Sequence, residues 1–289
     1  MRSLRQAIQD FRATGRAIGH FNFSDSNQLM AIAHAARDTK LPVIAGLSEG
    51  EREFFPFRHA RALVDIYQSH GIEMYLNSDH TYTLEKAQEA IDQGVDSIVI
   101  DGAAHPFDEN IKLVEQVVAY AHRRKRFFHP NKEVLVEGEL GYIGMSSKLL
   151  DALPEGVTQD NLTSVADAKK FVTETGVNCF APAVGNVHGM LKNAAEPRLH
   201  PDRVKEISDA VGIPLVLHGA SGNTEEDIKA CIKAGVAVVH INTELRVLYR
   251  DTLRETLKGD ETTPYKFLTP SVEKMQAYLM EKMKVFAGQ

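Results

Sequence analysis

Eight apolar runs of strand length alternate with helix-period patterns along this chain. The runs are Ala17–Phe23, Val43–Leu47, Glu73–Asn77, Ser97–Asp101, Val134–Glu139, Asn178–Gly185, Pro214–His218 and Val236–Asn242. Helical patterns follow at Ser26–Thr39, Arg58–His70, Leu84–Asp92, Glu109–Arg124, Val165–Thr175, Pro201–Ala210, Glu225–Lys233 and Glu244–Leu257. The runs are rich in Val, Ile, Leu and Phe without clean alternation, as expected for parallel strands covered on both faces. Asp25 or Ser26 suits an N-cap and Pro201 a first helical turn, while Gly71, Gly94, Gly176, Gly212 and Gly235 sit just past helix ends. Eight βα units in ~250 residues specify an α/β fold of the closed (β/α)8 barrel type. Residues 1–289 then form a single domain. Gly144–Thr163 reads as an enlarged loop after the fifth strand, and Asp260–Gln289 as an extra C-terminal helix.

Composition narrows the function. A net charge of -6 and a pI near 6.1 argue against a nucleic-acid-binding surface. The one concentrated basic run, Arg123–Arg126, falls at a helix end, where cations complement the dipole. Cys179 lies in an apolar strand and Cys231 in a helix, which suggests neither a disulfide framework nor a C-x-x-C metal knot. The first residues read as an amphipathic helix rather than a signal peptide, and no apolar run reaches the ~20 residues that span a bilayer. A soluble, cytoplasmic protein without membrane partners is expected.

A barrel gathers its chemistry at the C-terminal ends of its strands. Those ends read FNFSD, GLSEGE, NSDH, DGAAH, EGELG, GNVHG, LHGASG and HINTEL. They place Asn22, Ser48, Asp79, His80, Asp101, Glu139, Asn186, His188, His218, Ser221, His240, Asn242 and Thr243 around one mouth. His80, His188 and His218 each close a strand run, and three imidazoles plus an open position make a catalytic metal site. His105 and His240 also fall near the mouth, so spacing alone does not choose three of five. HGASG, a glycine-rich turn into a helix N-terminus after the seventh strand, suits a phosphate. No strand terminus carries a lysine, which argues against a Schiff base. Lys192 follows His188 in a loop, as a phosphate contact or a solvated side chain.

These motifs together resemble class II, metal-dependent ketose-bisphosphate aldolases of the fructose- and tagatose-bisphosphate type. The matching residues are FNFSD, Asp79–His80, ELG at Glu139–Gly141, GNVHGM at Gly185–Met190, LVLHGASG at Leu215–Gly222 and INTELR at Ile241–Arg246. The resemblance implies zinc on His80, His188 and His218, with Glu139 beside an alternative metal position. It implies Asp79 as the acid/base at the C4 hydroxyl, and dihydroxyacetone phosphate and an aldehyde as products through a zinc-stabilised enediolate. Gly189, Gly219, Ser221, Asn242 and Thr243 match the phosphate site, beside a monovalent cation (Na⁺ or K⁺). Asn22 and Ser48 match contacts at the far end of the sugar, and a homodimer or homotetramer is implied.

Two departures from the pattern stand out. His240 and Asn242 replace the family's Asn and Asp, so His240 either takes over substrate contact or changes the chemistry. The acidic segment after ELG is absent, leaving Asp151 and Glu155 as substitutes for its mobile glutamate. Arg52 is the expected holder of a second phosphate. Two other functions compete: a barrel metal hydrolase and a non-catalytic sugar-phosphate-binding barrel. The first lacks an H-x-H pair on strand one, where the chain has His20-Phe-Asn22. The second has no need of an acid/base beside a ligand.

Overall fold

A computed structural model describes residues 1–124 in full, the backbone of 125–127, and residues 133–144, 147–158 and 162–289. The strands in chain order are β1 (Ile18–Asn22), β2 (Val43–Leu47), β3 (Met74–Thr81), β4 (Ser97–Ile100), β5 (Leu135–Leu140), β6 (Leu149–Leu150), β7 (Cys179–Pro182), β8 (Met190–Leu191), β9 (Leu215–Leu217) and β10 (Val236–Ile241). Eight of them close a parallel barrel in the order β1-β10-β9-β7-β5-β4-β3-β2. All eight expected runs form its staves. The two-residue β6 and β8 pair with each other outside it, joining the loop after β5 to the loop after β7. Met145, Ser146 and residues 159–161 of the expected enlarged loop lie outside the described residues, as do the side chains of Lys125 and Arg126.

The helices are α1 (Leu4–Arg12), α2 (Ser26–Thr39), α3 (Glu49–Phe54), α4 (Phe57–Ser69), α5 (Leu84–Asp92), α6 (Phe107–Phe127), α7 (Val165–Thr175), α8 (Pro201–Val211), α9 (Glu225–Ala234), α10 (Thr243–Thr256) and α11 (Pro264–Phe286). Local chemistry sets their ends. Asp25, Thr83, Ser164 and Thr224 each accept a first-turn backbone N–H, and Gly176 and Gly212 end α7 and α8 in the left-handed region. Helix α2 buries Leu29 and Ile32 completely, each stabilising by roughly 1.5–3 kcal/mol. The C-terminal helix expected from sequence is α11, which packs on α2 and α10. No helix among the described residues is long and apolar enough to cross a membrane.

Register then decides what points into the barrel. His20 on β1 lies opposite His240 on β10, and their rings stack 3.5 Å apart at an interplanar angle of 6°. His218 stacks on the other side of His240 at 4.1 Å. Room for His20 comes from Gly46 on β2: a Cβ there would collide with the imidazole Nε2. We predict that Gly46→Ala destabilises the fold by about 1–3 kcal/mol, the range for an overpacked core. In a His20→Ala background that penalty should fall below about 0.5 kcal/mol if the imidazole is the obstacle, as read by a chemical-denaturation double-mutant cycle.

Candidate metal and catalytic site

Asp79 and His80 are neighbours on one strand, so regular pleating would send their side chains to opposite faces. A break in register between Ser78 and Thr81 prevents that. His80 adopts φ 29°, a left-handed conformation uncommon for a residue with a side chain. The resulting bulge turns both side chains to the mouth, a use of local strain seen at functional positions. The regular apolar run read from sequence stops at Asn77, with His80 closing it; the bulge carries the strand through to Thr81.

Three imidazoles meet there edge-on. The His80 ring stands at 84° to His188 and 82° to His218, with centroids 4.6 and 4.9 Å away. Each ring has one nitrogen held from outside. His80 Nδ1 contacts Asp101 Oδ2 at 3.0 Å, His188 Nδ1 contacts the Gly144 carbonyl at 2.6 Å, and His218 Nε2 contacts Glu137 Oε1 at 2.6 Å. With a proton on each of these outer nitrogens, the inner ones present lone pairs to one another. His80 Nε2 and His218 Nδ1 lie 3.3 Å apart. That matches the edge of a tetrahedron with metal–nitrogen bonds of 2.0–2.1 Å, about 3.3 Å. Outer carboxylates and carbonyls that fix histidine tautomers are the usual support of a metal site. Gly219 lets the His218 loop approach: a Cβ there would strike the Val187 carbonyl, one residue before His188.

Electrostatics point the same way. Asp79, Asp101, Glu137 and Glu139 are buried around this point. Burial, reinforced by Asp79, pushes the Glu137 carboxyl up to about 8. Burial, with Asp101 beside it, drives Glu139 well above the carboxylate range. His80 is pulled down by burial, but Asp79, Asp101 and Glu139 outweigh that and raise it well above its ordinary value. Burial and the neighbouring His80 lower His188 to about 4, while burial and His20 lower His240 to about 3. The site is short of positive charge, and a divalent cation would supply it. The donor set therefore fits a transition-metal ion. His20, Asp79 and His240 also cluster, yet the parallel rings of His20 and His240 cannot aim in-plane lone pairs at one ion.

Asp79 keeps one oxygen free. Its Oδ2 accepts from Asn22 Nδ2 at 2.8 Å, while Oδ1 is buried without a hydrogen bond, 3.5 Å from His240 Nδ1 and 3.7 Å from His80 Nε2. Burial alone would raise this carboxyl, but His80, then His240 and His20, hold it well below the usual range. It is an ionised base.

The pocket above these groups is lined by Asn22, Asp79, His80, Ser147, His188, Gly189, His218, Gly219, Ser221, His240, Asn242 and Thr243. Most residues expected at the mouth are thus brought together. Others are not. His105 is exposed. Arg52 does not reach the pocket: its side chain is 9% exposed, pairs with Glu49, contacts the Asp79 and Leu47 carbonyls, and lies over Phe57. Lys192 and Asp151, both exposed, pair with each other at 3.0 Å just past the β6–β8 pairing, and Glu155 is exposed and outside the lining. Ser48 spends its hydroxyl on Glu51 at 2.8 Å, capping α3. Sequence reading missed His20, Glu137, Glu51 and Arg246. Period two from Glu139 would have found Glu137.

Comparison with known proteins adds a family to this geometry. The model of class II fructose-bisphosphate aldolases matches residues 2–289. The chain belongs to the class II fructose-bisphosphate aldolase family. The fructose-bisphosphate aldolase of Geobacillus stearothermophilus is 33% identical over 292 residues, covering 99% of this chain and 96% of that relative. The corresponding enzyme of Staphylococcus aureus strain Mu50 is 32% identical over 290 residues, covering 98% and 96%. The crystal structure of the YdjI aldolase from Escherichia coli K12 superposes with a TM-score of 0.83 at 29% identity, covering 98% and 96% of the two chains. Class II aldolases are metal-dependent, in keeping with the donor set found here.

The Asn22 amide joins Asp79 to Glu51, donating 2.8 Å hydrogen bonds to both carboxylates. Removing it leaves two buried acceptors short of a donor, so Asn22→Ala should destabilise the protein by about 1–3 kcal/mol. Urea denaturation at neutral pH would check this; a cost below about 0.5 kcal/mol would mean water replaces the amide freely.

Proposed function

We propose that the protein is a metal-dependent aldolase that cleaves a phosphorylated ketose into dihydroxyacetone phosphate and an aldehyde, and joins them in reverse. Residues 1–289 act in it as one catalytic unit. The observation that carries this reading is one pocket holding three convergent imidazole nitrogens, an ionised carboxylate with a free oxygen, and a glycine-rich turn beside a helix N-terminus. His80, His188 and His218 would hold the ion, with zinc the choice that three imidazoles favour, and Glu139 would support them. When bound, the ion supplies Lewis-acid polarisation of the substrate carbonyl.

The chain's own groups do the rest. Asp79, ionised and fixed by Asn22 through Oδ2, offers Oδ1 to the substrate C4 hydroxyl. It takes that proton as the C3–C4 bond breaks and returns it in condensation. Its neighbour His240 lies close enough to bear on the same oxygen, which is the structural reason to assign it substrate contact. Gly189, Gly219, Ser221, Asn242 and Thr243 line the same pocket, where α10 begins without a side-chain cap. Free backbone N–H groups and the helix dipole there suit the phosphate, with a monovalent cation alongside. Anchoring the phosphate places the scissile bond over Asp79, so binding energy supplies orientation.

Two experiments test this reading. Chelation should abolish release of dihydroxyacetone phosphate and added zinc should restore it, while borohydride with substrate leaves mass and activity unchanged. Covalent trapping would contradict it. Asp79→Ala should retain metal by elemental analysis yet lose at least ~10²-fold in turnover, the lower range for a missing general base. Loss of metal instead would make Asp79 a ligand.

A further inference from the structure

His240 lines the pocket from a buried position between two other imidazoles. Register sets the stack: His240 on β10 lies opposite His20 on β1, so both side chains leave the same face of the sheet. The two outer rings are fixed by their own partners. His20 Nε2 donates to Asn77 Oδ1 at 3.0 Å, because the Asn77 amide nitrogen is committed to Ser97 Oγ at 2.7 Å, and His218 Nε2 is held by Glu137. His240, 6° from the plane of His20 and 25° from that of His218, has its ring orientation set by both. Its Nδ1 faces Asp79 Oδ1, 3.5 Å away. We infer that His240 is a catalytic residue acting at one atom: its Nδ1–H donates to the oxygen on C4 while that oxygen exchanges its proton with Asp79, and His20 is the positioning residue that holds the ring for it. This rests on the aldolase reading above.

The gap between the two groups carries the argument. Asp79 Oδ1 is buried without a hydrogen bond although an imidazole nitrogen lies 3.5 Å from it. Groups that far apart can both bond one oxygen placed about 2.8 Å from each. Asp79 and His240 both line the pocket, so a hydroxyl bound to Oδ1 on the His240 side is within reach of Nδ1 as well. The nitrogen that faces an ionised carboxylate carries a proton in both the neutral and the charged imidazole, so this role requires no titration of His240. In cleavage the C4 hydroxyl proton passes to Asp79 Oδ1, the O–H pair becomes the new C=O π bond, and the C3–C4 pair leaves with C3. In condensation the π pair returns to the oxygen, which takes the proton from Asp79. Charge builds on that oxygen between bond change and proton transfer, and a donor already aimed at it lowers the barrier without reorganisation. His240 keeps its own proton throughout.

Two rates measured on one zinc-loaded sample test this. The first is exchange of a hydroxymethyl hydrogen of dihydroxyacetone phosphate with solvent deuterium, which involves no aldehyde. The second is condensation with glyceraldehyde or glyceraldehyde 3-phosphate, whichever the wild type uses faster. Their ratio does not depend on how much of a variant is folded or metal-loaded. His240→Phe keeps an aromatic ring in the stack and removes the N–H, and should lower condensation relative to exchange by ~10²-fold or more, the loss of one aimed donor. His240→Gln keeps an N–H and should recover about tenfold of that loss. His20→Ala should lower the ratio about tenfold by itself and no further beside His240→Phe. A ratio unchanged in His240→Phe, whether both rates hold or fall together, overturns the inference; one unchanged in His20→Ala overturns the part given to His20. Nitrogen NMR of the isotope-labelled wild type needs no variant: a His240 ring protonated only at Nε2 overturns the inference as well. Condensation with neither aldehyde overturns the aldolase reading instead, and this inference with it.

Discussion

Charge balance inside the barrel is the constraint on which the site depends. Four carboxyl groups (Asp79, Asp101, Glu137 and Glu139) share the interior with His20, His80, His188, His218 and His240. Ionised carboxylates cannot be buried together without compensating positive charge. The contacts of Asp101, Glu137 and the Gly144 carbonyl secure the outer nitrogens of three histidines. They thereby aim the inner nitrogens at one point, where a cation satisfies both the lone pairs and the carboxylates. Reactivity follows from that centre, because His80 beside it holds the buried Asp79 carboxyl well below the usual range.

The scaffold makes this possible by separating its tasks. The apolar faces of the helices pack on the outside of the barrel and supply stability, as in the buried Leu29 and Ile32 of α2 and Phe171 of α7, whose ring meets Phe180 of β7. The upper interior is left free for polar groups, at the cost of one strained residue. The bulge at His80 converts two consecutive positions of β3 into two functional side chains facing one pocket. The stack of His20, His240 and His218, with Gly46 cleared for it, lies beside that pocket.

Much of this was legible in the sequence. The eight βα units were plain because strand-length apolar runs, Asp and Ser caps and terminal glycines all agree, each a local signal. Asp79, His80, His188 and His218 were legible as polar residues at strand ends, since barrel order fixes where those ends meet. Spacing alone left the choice of three histidines open, and only the family resemblance named His80, His188 and His218; in the structure His105 is exposed and His240 stacks behind His218. Helix α3 was missed because six residues give too short a period to detect. That omission also misassigned Arg52. On a helix, consecutive residues point about 100° apart, and the phase of α3 turns Glu51 inward toward Asn22 while Arg52 faces Glu49. Asp151 and Lys192 were read singly, whereas the β6–β8 pairing brings them to each other.

The central claim is that His80, His188 and His218 converge their inner nitrogens on one cation. X-ray absorption at the zinc edge of the zinc-loaded protein tests it most directly. The account predicts one ion per chain with three imidazole nitrogens at about 2.0–2.1 Å and an oxygen ligand completing the shell, falling to two imidazoles or to lost metal in His188→Ala. A shell of oxygens alone, or one unchanged in His188→Ala, would contradict it.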